Sequence, residues 1–376
     1  MEANQRPAAS PHTAEPAAGE ATPQRARTRA RRPTIKDIAR RAGVSESAVS
    51  FAMNDRPGVS EATRERVRRV AEQLGWQAST AARALSGEGS ATVGLVLARP
   101  ASTLEVESFF LQLVSGIQEV LSPHQLGLLF QVVDDVQAEC TVYRRWWAAH
   151  RVDGLIVVDP RIDDPRPALL ESLGLPAVVV GGMEVGPGTA AGAAPGISNV
   201  LADDAAAMAS IVEHLDALGH RRIVHIAGMG GLAHTERRIL SLRTEAERRG
   251  LADVFSVTTD YSDAEGAEAT RRVLASGTPP TAIVYDNDVM AVAGAAVAAE
   301  RGLSVPRDLS VVAWDDSVLC RTMHPRLTAL VRDTAGFGRR AAQELVSLLA
   351  GEPARRVQEP VPRLAPREST APARQS

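Results

Sequence analysis

The chain has 376 residues, of which 44% are hydrophobic and 23% charged, so it can bury a large core in two or more domains. No run is long and apolar enough to span a bilayer, and the first residues lack the apolar core of a secretory signal. Two isolated cysteines, Cys140 and Cys320, favour reduced thiols in the cytoplasm over a disulfide framework.

The formal net charge of −3 hides an uneven distribution along the chain. Residues 25–90 contain 14 Lys or Arg against 7 Asp or Glu, whereas residues 91–376 contain 27 against 35. Attraction to phosphates requires positive charge, so residues 25–90 are the candidate DNA-binding part. Residues 1–32 have no hydrophobic period and predict a disordered basic arm. Its arginines either contact phosphates or form a solvated run of charge.

Residues 34–54 predict two short helices joined by a tight turn, the shape of a helix-turn-helix. Thr34 and Ser45 are residue types that cap helix N-termini, and Asn54 is suited to end the second helix. Gly43 lies at the corner, where a positive φ is needed. Residues 60–74 predict a third helix with an apolar stripe at three- and four-residue spacing.

The second helix of this motif is the candidate for base contact. At about 100° per residue, its inward side chains are expected to be Ser45, Val49, Ala52 and Met53. The outward face of such a helix, near its N-terminus, meets base edges in the major groove. That face and the exposed amino end carry Glu46, Ser47, Ser50, Phe51 and Asn54. Two small helices of an ordinary globular domain are the alternative.

Residues 34–97 resemble the DNA-binding headpiece of the lactose-repressor (LacI/GalR) family of transcription regulators. The matching stretches are Thr34-Ile35-Lys36-Asp37-Ile38-Ala39, Ala42-Gly43-Val44-Ser45, Val49-Ser50, Val59-Ser60, Thr63-Arg64-Glu65-Arg66-Val67, Leu74-Gly75-Trp76 and Ala82-Arg83-Ala84-Leu85. The resemblance implies a headpiece at 33–76 and, at 77–90, a hinge helix that orders on DNA. It also implies that Leu85 wedges into the minor groove; a plain tether is the alternative.

The candidate DNA-binding residues therefore span the headpiece and the hinge. They are Thr34, Ser45, Glu46, Ser47, Ser50, Phe51, Asn54, Arg83 and Leu85. Base reading by Glu46, Ser47 and Phe51 is implied by the resemblance, and their chemistry allows contact with cytosine N4, several bases and a thymine methyl. Glu46 has a second interpretation as a favourable charge at a helix N-terminus.

From residue 91 the pattern changes to short β-branched runs alternating with helical stretches, which predicts parallel sheets covered by helices on both faces. The predicted strands are 92–97, 126–133, 154–158, 177–180, 222–227, 254–258, 281–285, 309–314 and 327–331. They predict an α/β fold of two doubly wound lobes over residues 91–365, similar to periplasmic binding proteins, with a ligand cleft at the carboxyl ends of the strands. Residues 366–376 are expected to be a disordered tail.

Later stretches extend the resemblance and imply an effector site in the cleft. They include Asp203-Asp204, Leu218-Gly219-His220-Arg221-Arg222-Ile223, Asn287-Asp288-Val289-Met290-Ala291 and Val311-Val312-Ala313-Trp314-Asp315-Asp316. The implied effector residues are Phe109, Phe110, Arg238, Asp288, Trp314 and Asp315. An arginine fork and carboxylates can hydrogen-bond the hydroxyls of a polyol. The alternatives are that both phenylalanines are core residues, that Asp288 only caps its helix, and that Arg238 is an exposed charge.

Together these features predict a cytoplasmic, homodimeric, sequence-specific DNA-binding regulator, a repressor rather than an activator. Its partners would be a double-stranded operator and a sugar-like or purine-like effector, without cofactor, metal or membrane. A solute-binding protein of a transporter and a small-molecule enzyme on a doubly wound fold are the rival functions. Neither a Gly-x-Gly-x-x-Gly sequence nor a metal-binding histidine spacing is present to favour an enzyme.

Overall fold

The computed structural model describes residues 33–76, 89–99, 108–182, 196–251 and 253–374. It divides into two compact units, residues 1–78 and 79–376. The predicted basic arm at residues 1–32 and the predicted hinge residues Arg83 and Leu85 lie outside the described residues. No helix within the described ranges is long and apolar enough to cross a membrane.

The first unit contains the predicted three helices, α1 (Ile35–Ala42), α2 (Glu46–Met53) and α3 (Glu61–Gln73). The Ser45 hydroxyl accepts a hydrogen bond from the backbone N–H of Ala48 at 3.2 Å, which starts α2. Gly43 has a φ of 66°, so the corner takes the backbone conformation that favours glycine. The small core consists of Ile38, Ala39, Ala42, Val49, Ala52, Val67, Val70 and Ala71.

The second unit begins with an N-lobe built on one parallel sheet. Its strands are β1 (Thr92–Ala98), β2 (Gly127–Val133), β3 (Gly154–Val157), β4 (Ala177–Val180), β5 (Ile197–Leu201) and β11 (Arg356–Gln358). The strand order is β11-β5-β4-β3-β1-β2. The flanking helices are α4 (Ser108–Leu121), α5 (Val136–Ala148), α6 (Arg166–Leu173) and α12 (Thr334–Leu349). Apolar residues of α4 and α12 pack on one face of the sheet, and those of α5 and α6 on the other.

The C-lobe repeats this architecture. Its strands are β6 (Arg222–Ala227), β7 (Asp253–Thr258), β8 (Ala282–Tyr285), β9 (Ser310–Ala313), β10 (Thr328–Val331) and β12 (Arg363–Ala365). The order is β12-β10-β9-β8-β6-β7, with β12 antiparallel to β10. The helices are α7 (Asp204–Ala217), α8 (Ala233–Arg249), α9 (Asp263–Leu274), α10 (Asp288–Glu300) and α11 (Val318–Thr322). The predicted pair of doubly wound lobes is confirmed.

In the described part of the chain, three connections cross between the lobes. Residues 202–203 lead from β5 to α7, residues 332–333 from β10 to α12, and residues 359–362 from β11 to β12. Because α12 packs in the N-lobe core, the chain enters the C-lobe, returns to the N-lobe and enters the C-lobe again. These crossings are the hinge about which the two lobes can change their relative angle.

The prediction of a disordered tail at 366–376 is wrong for residues 366–374. Ser369 is fully buried, its carbonyl accepts from the backbone N–H of Val311 at 2.9 Å, and its own N–H donates to the Arg326 carbonyl at 3.1 Å. The Arg367 guanidinium binds the Asp316 carboxylate at 2.7 Å. Backbone and polar contacts hold these residues on the C-lobe, and such contacts leave no apolar period in the sequence.

Candidate functional site

The outward face of α2 carries polar and aromatic side chains in the first unit. Glu46 and Ser47 are exposed and Ser50 is half-buried, whereas Val49 and Ala52 have no exposed surface. Phe51 is 38% exposed, which leaves part of its ring available for contact. The hydroxyl groups, carboxylate and ring match the chemistry of base edges in a major groove.

The other predicted headpiece residues lie at the ends of the helices. Thr34 is exposed, and its backbone N–H donates to the Asp37 carboxylate at 3.0 Å. Asn54 is the half-buried residue that ends α2. Ser45 is exposed rather than inward, because a capping residue lies outside the helix it starts and directs its oxygen at the helix backbone.

Four exposed cations on α1 and α3 add positive charge to the headpiece. Lys36, Arg41, Arg66 and Arg69 are exposed, and none forms an ion pair with another described residue. By contrast, both Arg64 and Arg68 bind the carboxylate of Asp55, each at 2.7 Å. The unpaired side chains are free to bind phosphates, whose contacts position a protein on a duplex without specifying sequence.

The second candidate site is the cleft between the two lobes of the second unit. Its polar lining comes from residues that follow parallel strands, where ligands bind in doubly wound folds. Arg99 follows β1, Asp159 comes shortly after β3, Asp286 follows β8, Asp315 comes shortly after β9 and Arg332 follows β10. The cavity volume is about 60 Å³. Typical ligand pockets have about 300–1,000 Å³, so the cleft as seen here must open to admit a ligand.

Arg238 forms the centre of the C-lobe wall and is 5% exposed. Its Nη1 lies 3.1 Å from Asp286 Oδ1, its Nε 3.1 Å from Asp204 Oδ1, and its guanidinium 4.0 Å from the ring centroid of Trp314. The two carboxylates compensate its charge, and the indole fixes its plane.

The Asp286 carboxylate has three partners: Arg238 on α8, His225 on β6 and the backbone N–H of Gly228, directly after β6. His225 Nε2 lies 2.9 Å from its Oδ1, and the backbone N–H of Gly228 donates to its Oδ2 at 2.8 Å. Burial alone would raise the pKa of Asp286, but Arg238, His225 and the Gly228 N–H hold it well below its ordinary value. Asp286 is therefore an ionised carboxylate whose orientation is fixed.

Two arginines join the lobes across the cleft. Arg99, at the end of β1, binds Asp159 at 2.6 Å and lies 4.6 Å from the ring centroid of Tyr261 in the C-lobe. Arg237, on α8 of the C-lobe, donates to the Gly181 carbonyl of the N-lobe at 2.6 Å. Any ligand that separates the lobes must break these contacts.

Arg332 occupies the hinge beside the cleft. Its Nη2 donates to Asp315 Oδ1 at 2.5 Å, and its guanidinium lies 4.7 Å from the ring centroid of Phe109 on α4. It thereby contacts one residue from each lobe. Its Nε is buried and has no hydrogen-bond partner among the described residues, so one strong donor is left for a ligand.

The charges that line the cleft balance. Arg99, Arg237, Arg238 and Arg332 face Asp159, Asp204, Asp286 and Asp315, and every arginine is paired with at least one of these aspartates. Burial and the neighbouring Arg238 lower the pKa of His234 to about 4, so the imidazole is neutral at pH 7. The described residues of the lining therefore carry no net charge.

The effector residues implied by the sequence have different positions in the cleft region. Phe109, Arg238 and Asp315 line it. Phe110 belongs to the N-lobe core, and Trp314 is buried beneath Arg238. Asp288 is the first residue of α10, is 2% exposed and does not line the cleft, and burial raises its pKa.

Asp286, Arg99 and Arg332 are not among the site residues predicted from the sequence. Each directly follows the last residue of a strand, and that position was the signal that could have identified them. In the part of the chain that the structure describes, no group of three or more His, Cys, Asp or Glu could hold a metal ion.

Comparison with known proteins gives matches for both units. Residues 34–79 match the family described as bacterial regulatory proteins, lacI family, and residues 212–370 match a periplasmic binding protein-like domain. The chain is 31% identical over 329 residues to the HTH-type transcriptional regulator CelR of Thermobifida fusca, covering 86% of this chain and 94% of that protein.

Two solved structures extend the comparison to three dimensions. The transcriptional regulator CelR–cellobiose complex has a TM-score of 0.66 and 28% identity, covering 90% of this chain and 100% of that one. The lac repressor dimer bound to operator and the anti-inducer ONPF has a TM-score of 0.75 and 25% identity, covering 91% and 100%. The described fold is thus similar to that of regulators with a DNA-binding headpiece and a two-lobed ligand-binding part.

Proposed function

We infer that this chain, which belongs to the lacI family of bacterial regulatory proteins, is a transcriptional regulator whose affinity for operator DNA depends on a small molecule in the cleft. It binds DNA through its helix-turn-helix and is not an enzyme. We place it in the cytoplasm, as a homodimer that represses transcription. The observation that carries the proposed control is the closed cleft, across which Arg99 lies against Tyr261 and Arg237 donates to the Gly181 carbonyl, contacts that a ligand must rearrange.

The proposed base-reading surface is the outward face of α2. Glu46, Ser47 and Phe51 are exposed on a helix whose opposite side, Val49 and Ala52, is fully buried. This arrangement supports insertion of α2 into the major groove. Arg83 and Leu85 of the proposed hinge helix at residues 77–90 complete the proposed DNA contacts, and Leu85 would unstack a base step.

We further propose that the effector is a neutral polyhydroxy compound, the sugar class to which the cellobiose of the similar CelR complex belongs. Each arginine of the cleft is already paired with an aspartate, so an anionic ligand would have to break an ion pair to obtain charge compensation. A neutral sugar can hydrogen-bond to both members of a pair without doing so. The neutral cleft argues against sugar acids and sugar phosphates.

Control follows from linkage between the two sites. A ligand that needs a wider cleft breaks the contacts of Arg99 with Tyr261 and of Arg237 with Gly181, which changes the angle between the lobes. In a dimer, that angle decides whether two hinge segments can pair on DNA. Effector and operator then change each other's affinity by the same factor.

Fluorescence anisotropy with the full-length protein tests the DNA-binding surface. Duplexes covering the DNA upstream of its own gene and neighbouring genes are compared with scrambled duplexes at one salt concentration. We expect Ser47→Ala and Phe51→Ala each to weaken specific binding by about tenfold, the lower part of the range for a base contact. Gln73→Ala, an exposed change on α3, is the matched control. Equal affinity of parent and variants for every duplex would refute the assignment.

Thermal unfolding with added ligands tests the effector class separately. We expect neutral mono- and disaccharides, cellobiose among them, to include one that raises the Tm of the parent, because binding to the folded state stabilises it. Glucuronate and gluconate should leave the Tm unchanged. Stabilisation by the acids alone would overturn the neutral-ligand proposal while leaving DNA binding intact.

A further inference from the structure

A second cavity, distinct from the effector cleft, lies at the hinge and is called here the hinge groove. It is formed by α12 and by residues 359–363, and its volume is about 390 Å³. This volume falls within the about 300–1,000 Å³ of ordinary small-molecule pockets, whereas the cleft is closed. The groove can therefore accept a ligand without movement of the lobes.

The groove contains an arginine without a carboxylate partner among the described residues, unlike the cleft. The charged lining of the groove consists of Arg332, Arg339, Arg340 and Arg363 against Asp333 and Glu359. Two carboxylates outside the groove, Asp315 and Glu119, bind Arg332 and Arg339 and compensate the formal difference. Arg363 therefore supplies the positive charge to which an anionic ligand can bind without breaking an ion pair.

Two of these arginines have unused donors. Arg363 is exposed and forms no ion pair or hydrogen bond through its side chain with another described residue. The buried Nε of Arg332 lacks a partner, although its Nη2 binds Asp315. Arg340 contributes a third guanidinium, paired with Glu359 at 2.5 Å and 44% exposed. Guanidinium forks bind phosphate oxygens through parallel charge-assisted hydrogen bonds.

Part of the groove is apolar. Phe337 and Val361 line it together with Pro360 and Pro362, and Val361 is 48% exposed. An apolar wall beside an arginine cluster suits a carbon skeleton that bears a phosphate rather than a free inorganic ion. The groove thus has a place for both ends of a small organic phosphate.

All three lobe-crossing connections line the groove. Ala202 comes from the first, Arg332 and Asp333 from the second, and residues 359–362 from the third. Arg332 and Phe337 also line the effector cleft. A ligand in the groove therefore touches every segment that must bend when the lobes change their angle.

We propose that the hinge groove binds a small organic anion of the phosphate-ester class, with its phosphate between Arg340 and Arg363 and its carbon skeleton against Val361. This site takes a ligand of opposite electrostatic character to the neutral one proposed for the cleft. By contacting the hinge, the bound anion stabilises one angle of the lobes and is a second input to regulation.

Isothermal titration calorimetry of the full-length protein with glycerol 3-phosphate tests the site, with glycerol as the neutral match and ionic strength held constant. Glycerol 3-phosphate should bind and glycerol should not. Arg363→Gln and Arg340→Gln should each weaken binding about tenfold, which corresponds to about 1.4 kcal/mol. Arg272→Gln, an exposed change on α9 outside the groove, should bind like the parent.

Absence of binding by the parent, or equal affinity in Arg363→Gln and the parent, would overturn the proposal. A crystal structure with glycerol 3-phosphate provides the second measurement, because phosphate density elsewhere would also overturn it. Neither experiment contains DNA or a sugar. A negative result would therefore overturn the anion site without bearing on DNA binding or on the effector cleft. Arg363 is exposed, so its substitution should preserve the parental Tm, which is measured alongside.

Discussion

Replacement of Asp286 by Asn is the sharpest test of the cleft's electrostatics. The change keeps the size of the side chain but removes the negative charge that faces Arg238 at 3.1 Å and His225 at 2.9 Å. Breaking a buried ion pair from one side costs about 3–5 kcal/mol, because the remaining charge is left without compensation. Arg238 retains Asp204 at 3.1 Å, so we expect the lower end, about 3 kcal/mol.

This loss can be converted to a melting temperature. One kcal/mol shifts the Tm of a domain of 150–250 residues by about 2–4 °C, so the variant should melt about 6–12 °C below the parent. Circular dichroism at pH 7 measures this shift, and Asp253→Asn, an exposed change on β7, is the matched control. Because Arg238 loses the partner that orients it, stabilisation by any neutral sugar found to bind the parent should also disappear.

An Asp286→Asn variant that has the Tm of the parent and is still stabilised by the sugar would refute this role of Asp286. An Arg238 guanidinium without Asp286 would then be compensated by Asp204 alone, and the balance of charges in the cleft would not control ligand binding. DNA affinity without effector serves as a second control, because the headpiece forms a compact unit separate from the one that contains Asp286.

Three further predictions concern the protonation of His234, the packing around Gly116 and the predicted hinge helix that contains Leu85. The pKa of His234 falls from 6.5 to about 4 on folding, so between these pH values the unfolded chain binds more protons than the folded chain. The free energy of unfolding of the parent, measured in urea, should therefore decrease from pH 6.5 towards pH 4. His234→Gln should reduce this pH dependence, and an unchanged slope would contradict the prediction. Gly116→Ala should lower the free energy of unfolding in the same assay several-fold more than Gly277→Ala does. A Cβ at residue 116 would lie 1.8 Å from the Ala335 carbonyl oxygen, whereas a Cβ at residue 277 would have no atom within 4 Å. Leu85→Ala should weaken operator binding in a gel shift while sparing effector binding, and unchanged DNA affinity would remove the wedge from the mechanism.

Much of the secondary structure followed from local patterns. Residues 92–97 were predicted as a strand from an apolar β-branched run, and β1 covers residues 92–98 because both faces of a parallel strand are buried. β5, at residues 197–201, was not among the predicted strands. In its sequence, Ile-Ser-Asn-Val-Leu, the buried residues Ser198 and Asn199 lie among apolar ones. Two adjacent polar residues are more typical of a loop than of a buried strand, so the sequence pattern did not predict β5. Ser198 is satisfied by the backbone N–H of Arg355, 157 residues away.

The cleft illustrates how far local signals reach. The segment Tyr285-Asp286-Asn287-Asp288 offers two aspartates after one strand, and the resemblance favoured the second. In the structure Asp286 binds Arg238, whereas Asp288 begins α10 with its Oδ2 buried and unpartnered among the described residues. The turn between β8 and α10 directs two neighbouring carboxylates into different surroundings, which a pattern of residue types does not encode.

The sequence by itself determined the helices of the headpiece, the outward face of α2 and the alternation that produces two parallel-sheet lobes. These depend on caps, glycines and apolar spacing within a few residues, where chain geometry leaves few choices. Tertiary structure alone decided the pairing of each cleft arginine with its aspartate, the closure of the cleft, the docking of residues 366–374 and the charge of the hinge groove. Those properties depend on contacts between side chains tens to hundreds of residues apart, and their energies exist only once the lobes have folded.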